Sequence, residues 1–202
     1  LLVKLGLENK FVIGYIGTHG LAHKLDFILQ CASVKGLSDS FHFLFIGDGA
    51  QKSNLLRLKD KLGLKNISMC DPVPKSEVYE YISILDVALV NLRKSDTFKT
   101  VIPSKIFENA AMQKPILLGV EGESKEIIAS YQAGLCFEPE NQTEFISAIN
   151  KLKNDKDFYS ECVEGCKKLA NDFDRIALAN KMSNVLIQYS KKTVSSSKIT
   201  KV

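Results

Sequence analysis

The sequence is poor in the features that mark several classes of protein. Its 202 residues include only 12 glycines and five prolines, too few for a fibrous or low-complexity chain. No apolar run approaches the roughly 20 residues of a membrane-spanning helix. A net charge of +4 is too small to indicate a nucleic-acid partner, although it is compatible with a local basic pocket that binds phosphate. With 45% hydrophobic and 25% charged residues, the composition is that of a globular protein of one to two domains.

The cysteines are scattered and odd in number. Five such residues at wide spacing favour reduced thiols in a cytosolic protein, so we expect no disulfide. Cys162 and Cys166 are one helical turn apart, but they have no second pair and no nearby histidine. They are therefore more typical of one helix face than of a zinc site, and the sequence predicts no metal centre. Because the chain starts at Leu1 without Met, we expect it to be a piece of a longer protein.

Apolar runs alternate with segments of helical periodicity along most of the chain. Strands are predicted at 11–16, 41–46, 67–70, 86–90, 115–118 and 134–137. Helices are predicted at 25–32, 55–62 and 78–85, from Pro103, and beyond Asn141 with breaks near 154–155 and 171–172. Strands joined by helices pair in parallel through right-handed crossovers. The expected fold class is α/β, a doubly wound, Rossmann-like parallel sheet of about six strands, followed by a disordered Ser/Thr/Lys-rich tail at 191–202.

A doubly wound sheet binds ligands beyond the carboxyl ends of its strands. The segments predicted to lie there are 17–24, 47–49, 71–74 and 91–108. In the first of them, Gly17 and Gly20 allow the backbone to approach a ligand closely, and His19, His23 and Lys24 add polar groups. The G-x-G-x-x-G fingerprint of dinucleotide sites is absent, and a plain strand-to-helix turn stays open as the alternative.

The segment that begins at Pro103 is the most informative. Proline suits the first turn of a helix, so Ser104 and Lys105 are expected beside free backbone N–H groups, where the helix dipole favours an anion. Glu108 lies one turn further on, and is suited to accept hydrogen bonds from ribose hydroxyls. The alternative is that Ser104 and Glu108 form only a local cap and surface pair.

Residues from Phe11 to about Leu186 resemble the C-terminal, donor-binding domain of glycosyltransferase family 4, which has the GT-B architecture. The motifs that carry the resemblance are 13–23 (IGYIGTHGLAH), 43–49 (FLFIGDG), 85–90 (LDVALV) and 103–108 (PSKIFE), the last followed by 110–111 and 114–115. The Thr-His-Gly and Pro-Ser-Lys variants look most like transferases of O-antigen and capsule assembly that handle amino-deoxyhexoses. The resemblance implies that 1–10 is an interdomain linker and 11–190 the nucleotide-sugar-binding domain.

The resemblance implies transfer of a sugar from a nucleoside diphosphate donor, with retention of configuration at the anomeric carbon. The expected donor is a UDP-sugar. Glu108 matches the second glutamate of the family's E-x7-E motif, which binds ribose, whereas the first glutamate falls at Thr100. The family's Arg and Lys of the diphosphate clamp fall at Thr18 and His23, so the clamp is expected to involve Lys105, Lys24 or the helix dipole. The predicted site is Gly17, Thr18, His23, Lys24, Ser104 and Lys105 for the diphosphate, Glu108 for the ribose, Val73 for the base, and Thr100 and Ile102 facing the sugar.

No cofactor or metal is expected besides the donor. A glycan or lipid-linked acceptor would be held by an N-terminal domain that this chain does not match, so the chain alone should bind donor without turning it over. The expected location is the cytoplasm, with peripheral association at the inner face of the membrane for the longer protein. Two alternatives stay open: a nucleotide-sugar epimerase of the same architecture, distinguishable by epimerisation of donor without acceptor, and a non-catalytic binding module.

Overall fold

The structure, a computed structural model, describes the backbone of residues 1–196 and the side chains of residues 1–189. Six parallel strands form one sheet in the order β3-β2-β1-β4-β5-β6, which confirms the predicted fold class. The strands are β1 (Phe11–Ile16), β2 (Phe41–Ile46), β3 (Ile67–Cys70), β4 (Val87–Asn91), β5 (Ile116–Gly119) and β6 (Gly134–Cys136). The strand order reverses between β1 and β4, and such a reversal opens a crevice at the carboxyl ends of the two strands.

Helices cover both faces of the sheet. They are α1 (Leu2–Leu5), α2 (Leu25–Ala32), α3 (Lys52–Leu62), α4 (Val78–Ser83), α5 (Lys105–Ala111), α6 (Glu123–Tyr131), α7 (Gln142–Asn154), α8 (Lys156–Asp172) and α9 (Arg175–Ser196). Short 3-10 turns lie at Leu21–His23 and Asp96–Phe98. Asn141 and Asp155 cap α7 and α8, since their side chains accept hydrogen bonds from backbone N–H groups three residues on.

Alternate residues of each strand enter two separate cores. Leu89 of β4 packs in the cluster with Phe43 and Phe145, whereas its neighbour Val90 packs in the cluster with Ile106 of α5. Burying an apolar side chain of this size contributes roughly 1.5–3 kcal/mol. The near-continuous apolar strands of the sequence therefore follow from a sheet that is covered on both faces.

Several element ends differ from the sequence prediction. Asp86 lies before β4, where its carboxylate accepts a hydrogen bond from the Val12 N–H (2.7 Å). Asn91 extends the strand by pairing with Gly119. The helix predicted from Pro103 begins two residues later, at Lys105. Helices α1 and α6 were not predicted from the sequence, because the first is only one turn long and the second has few apolar residues.

Both ends of the part of the chain that the structure describes are more ordered than the sequence predicts. In the predicted linker 1–10, Leu7 is fully buried with Val12 and Leu44, so this segment packs on the sheet. Helix α9 continues to Ser196 and so enters the segment 191–202 for which disorder was predicted. Residues 197–202 lie outside the described residues.

Candidate functional site

A cleft of about 330 Å³ opens beyond the carboxyl ends of β1, β2 and β3. Its walls are Ile16, Gly17, Thr18, Ile46, Gly47, Asp48, Pro72, Val73 and Val78. The cleft therefore brings together three residues that the sequence assigned to one ligand: Gly17, Thr18 and Val73. They meet here because each follows a parallel strand, and the carboxyl ends of parallel strands share one edge of the sheet.

Lys105 does not line this cleft, but it approaches one of the lining residues, Gly17, from the other side of the strand-order reversal. A β-carbon added at Gly17 would overlap the Lys105 Nζ, so the ammonium group lies directly over the Gly17 backbone. The same Nζ donates a hydrogen bond to the Tyr15 hydroxyl (3.2 Å) and sits 4.4 Å from the centre of the Tyr15 ring. The structure thus places a cation at the glycine loop, where the sequence predicted a diphosphate.

The charge of Lys105 is only partly compensated. Burial lowers the pKa of Lys105, and the nearby carboxylate of Glu108 opposes that shift.

Glu108 is exposed, one turn into α5, and Ser104 is exposed at the residue before the helix. The predicted grouping of Ser104, Lys105 and Glu108 at the start of one helix is therefore what the structure contains.

Two glycine-containing loops run side by side beyond the ends of β1 and β2 and continue their parallel pairing. The Gly17 N–H donates to the Ile46 carbonyl (2.8 Å), and the His19 N–H donates to the Asp48 carbonyl (2.8 Å). Gly47 has a positive φ of 143°, and a β-carbon there would overlap the Gly17 carbonyl oxygen. Glycine is required at position 47 because both its conformation and its contact with the neighbouring backbone exclude a side chain.

The two histidines of the first loop differ in their surroundings. His19 is fully buried, and neither of its ring nitrogens hydrogen-bonds to a residue that the structure describes. Burial, with the positive charge of Lys52, lowers the pKa of His19 to about 4. His23 is half-buried, with its ring 5.6 Å from that of Tyr15, and burial together with Lys105 lowers its pKa. His23 thus lies in the cluster of side chains around Tyr15 and Lys105, and its predicted contact with a diphosphate stays a prediction.

Lys24 lies elsewhere. Its Nζ pairs with the Asp26 carboxylate (2.8 Å), and it lines a second cavity of about 480 Å³ together with Arg93 and Glu140. This cavity shares no lining residue with the cleft that contains Gly17 and Thr18. The structure therefore does not bring Lys24 together with the other residues predicted for the diphosphate.

Thr100 and Ile102 are exposed in the loop before α5, and neither lines the cleft. This loop is tied to the start of α6, where the Ser124 hydroxyl donates to the Val101 carbonyl (2.6 Å) and the Glu123 N–H donates to the Lys99 carbonyl (2.9 Å). The two predicted sugar-facing residues are therefore on an anchored loop whose side chains point outward.

Two residues that shape the site were not singled out from the sequence. Lys52 donates to the carbonyls of Gly47 (2.9 Å) and Cys70 (3.3 Å) and pairs with Asp71, so it ties the ends of β2 and β3 together. Tyr15 lies within an apolar strand and looked like an ordinary core residue. Only its contact with Lys105, 90 positions along the chain, reveals its place in the site.

The described part of the chain contains neither a metal-binding cluster nor a membrane-spanning helix. Among residues 1–196, no three His, Cys, Asp or Glu side chains gather closely enough to hold a metal ion. In the same part of the chain, no helix is long and apolar enough to cross a membrane. All five cysteines are free thiols.

The sequence profile described as glycosyl transferases group 1 matches residues 3–192. The chain belongs to this family. A curated relative from Bacillus subtilis (strain 168), provisionally named the teichuronic acid biosynthesis glycosyltransferase TuaH, is 28% identical over 158 residues. That alignment covers 74% of this chain and 37% of the relative.

Solved structures place the fold of this glycosyltransferase domain among GT-B proteins. The structure of Anabaena Alr3699/HepE in complex with UDP-glucose superposes with a TM-score of 0.78 at 16% identity, covering 93% of this chain and 51% of that one. The C-terminal domain of a glycosyl transferase group 1 family protein (LpcC) from Francisella tularensis superposes with a TM-score of 0.64 at 16% identity, covering 81% of this chain and 85% of that one. The chain thus spans about half of the Anabaena protein and nearly all of an isolated C-terminal domain.

Proposed function

We propose that this domain binds the nucleoside diphosphate sugar donor of a retaining family 4 glycosyltransferase. The proposed donor is a UDP-sugar. The observation that carries the proposal is the position of Lys105, whose ammonium group lies over the Gly17 backbone at the crevice between β1 and β4. A diphosphate seated on that backbone would receive a charge-assisted hydrogen bond from Lys105, a stronger bond than one between neutral groups.

In this proposal each part of the donor has its own partners. The diphosphate lies over Gly17 and Thr18, with Lys105, Ser104 and His23 around it. Glu108 accepts hydrogen bonds from the ribose hydroxyls. The base enters the cleft beside Val73, and the sugar extends toward the loop of Thr100 and Ile102. Lys24, paired with Asp26 in its own cavity, would join the diphosphate only after breaking that ion pair.

The chemical task of such a site is to stabilise charge on the departing diphosphate. A positioned cation accomplishes this by electrostatic attraction to the oxygens where negative charge develops. We propose that Lys105 supplies this stabilisation and that the domain uses no metal or further cofactor. Acceptor binding would fall to an N-terminal domain outside this chain, so the chain by itself should bind donor without transferring it.

The biological setting is also a proposal. The Bacillus relative carries a name from teichuronic acid biosynthesis, and the Anabaena structure holds UDP-glucose. We propose that the longer protein acts in the synthesis of a surface polysaccharide such as lipopolysaccharide or capsule. It would transfer a hexose or amino-deoxyhexose to a glycan or lipid-linked acceptor in the cytoplasm, at the inner face of the membrane, with no nucleic-acid partner.

Substitution of Lys105 and Glu108 tests the proposal. Lys105→Ala should weaken UDP binding by about tenfold to 100-fold while leaving uridine nearly unchanged, and the loss should shrink as salt rises. Glu108→Gln should weaken UDP and uridine to the same degree, because both ligands carry the ribose. Isothermal titration calorimetry of each variant with both ligands measures these effects.

Matched controls separate binding from folding. Lys114→Ala removes another partly buried lysine, whose Nζ donates to the Ser83 carbonyl (2.7 Å) and which does not line the cleft. Glu126→Gln removes an exposed carboxylate from α6. Neither control should change UDP affinity. Equal UDP affinity in Lys105→Ala and the unmodified protein would refute the proposed diphosphate site.

A further inference from the structure

Tyr15 makes two hydrogen bonds through one hydroxyl group at the end of β1. The O–H donates to the Thr18 carbonyl (2.8 Å), and the oxygen accepts from the Lys105 Nζ (3.2 Å). The ring also faces the ammonium group, at 4.4 Å from its centre. Tyr15 therefore contacts the cation of the proposed diphosphate site through both its hydroxyl and its ring.

The Tyr15 side chain is itself held rigidly. It is almost fully buried, and its ring lies 6.3 Å from Phe45, 6.1 Å from His19 and 5.6 Å from His23. Burial also raises the pKa of the Tyr15 hydroxyl, so that it stays protonated and keeps its bond to the Thr18 carbonyl. A rigid, neutral hydroxyl is a suitable anchor for a lysine, whose long side chain otherwise samples many rotamers.

We propose that Tyr15 is a positioning residue for Lys105. It holds the ammonium group over the Gly17 backbone before the donor arrives, so that less conformational freedom is lost when a diphosphate binds. The inference rests on the proposed function, because it assigns Tyr15 a role only through the contact between Lys105 and the diphosphate.

The substitution Tyr15→Phe isolates the hydroxyl. It keeps the ring beside Lys105 but removes the acceptor for the Nζ and the donor to the Thr18 carbonyl. We expect UDP to bind about threefold to tenfold more weakly, the range for loss of one net hydrogen bond, while uridine affinity stays the same. In a Lys105→Ala background, Tyr15→Phe should produce no further loss of UDP affinity, because its partner is already gone.

Tyr159→Phe is the matched control. Its hydroxyl donates to the Asp86 carbonyl at 2.8 Å, the same distance as the bond from Tyr15 to Thr18, but at the opposite edge of the sheet. Both variants lose one tyrosine-to-carbonyl hydrogen bond, and Tyr15→Phe also loses the bond from Lys105, so its thermal unfolding midpoint should fall at least as far as that of Tyr159→Phe. Only Tyr15→Phe should change the ratio of UDP affinity to uridine affinity.

The calorimetric outcomes distinguish the possible failures. Unchanged UDP affinity in Tyr15→Phe, with a clear loss in Lys105→Ala, would overturn the positioning role and leave the proposed function standing. A loss in Tyr15→Phe that persists in the Lys105→Ala background would also overturn it, because Tyr15 would then act through the Thr18 loop. Unchanged affinity in Lys105→Ala would overturn the proposed function itself, and this inference with it.

Discussion

Lowering the pH from 7 to 4.5 should reduce the free energy of unfolding by roughly 4–5 kcal/mol, mainly through two buried histidines. Burial lowers the pKa of His19 to about 4, with a further contribution from Lys52. Burial also lowers the pKa of His42 to about 4, assisted by Lys10 and Lys59. The ordinary value of about 6.5 applies to both residues in the unfolded chain.

The direction of the effect follows from proton binding. Above pH 6.5 both histidines are neutral in the folded and the unfolded protein, so stability does not depend on them. Between pH 6.5 and 4 the unfolded chain takes up protons that the folded protein does not, which favours unfolding by about 1.4 kcal/mol per pH unit for each histidine. Below pH 4 both states are protonated and this contribution levels off.

Urea unfolding at several pH values, followed by circular dichroism, measures this slope. His42→Gln should remove about half of it, because glutamine can still hydrogen-bond to the Ser68 hydroxyl (2.9 Å from the His42 Nε2) but does not titrate. His19→Gln should remove a similar share, and His23, whose pKa is also lowered by burial, contributes to the remainder. Stability that is constant between pH 6.5 and 4.5, or a full slope in both variants, would contradict this account.

Replacing Gly47 with alanine should cost about 3 kcal/mol or more of stability and weaken UDP binding as well. The new β-carbon would overlap the Gly17 carbonyl oxygen, and the φ of 143° disfavours any L side chain. Neither loop can easily move away. The Gly17 N–H is bonded to the Ile46 carbonyl (2.8 Å), and the Gly47 carbonyl accepts from the Lys52 Nζ (2.9 Å).

Gly36→Ala is the appropriate control for Gly47→Ala. Gly36 also has a positive φ, 92°, but a β-carbon there would meet no atom within 4 Å. It should cost only the conformational strain, about 1–2 kcal/mol, and leave UDP affinity unchanged. Chemical denaturation and calorimetry of both variants test the prediction. Equal losses in the free energy of unfolding would show that the overlap with the Gly17 carbonyl adds nothing to the cost of the substitution.

Much of the fold was predictable because it depends on local patterns. The apolar runs at Phe11–Ile16 and Phe41–Ile46 predict strands that are covered on both faces of the sheet. The helices between successive strands predict that the strands pair in parallel. That topology alone predicts that the segments after the strands share one edge of the sheet. It explains why Gly17, Thr18 and Val73 line one cleft although more than 50 residues separate the first from the last.

The finer arrangement depends on contacts between distant residues, which no local pattern encodes. Lys24 and Lys105 look alike in sequence as cations near strand ends, yet Lys24 pairs with Asp26 while Lys105 lies over Gly17. His19 looked like a polar loop residue, but it is completely buried where its segment packs against the backbone of Gly49. The sequence by itself determined the parallel sheet and the edge at which the cleft opens, through apolar periodicity and chain connectivity. Only the tertiary structure decided which side chains face the cleft, because that choice depends on the packing of loops that lie far apart along the chain.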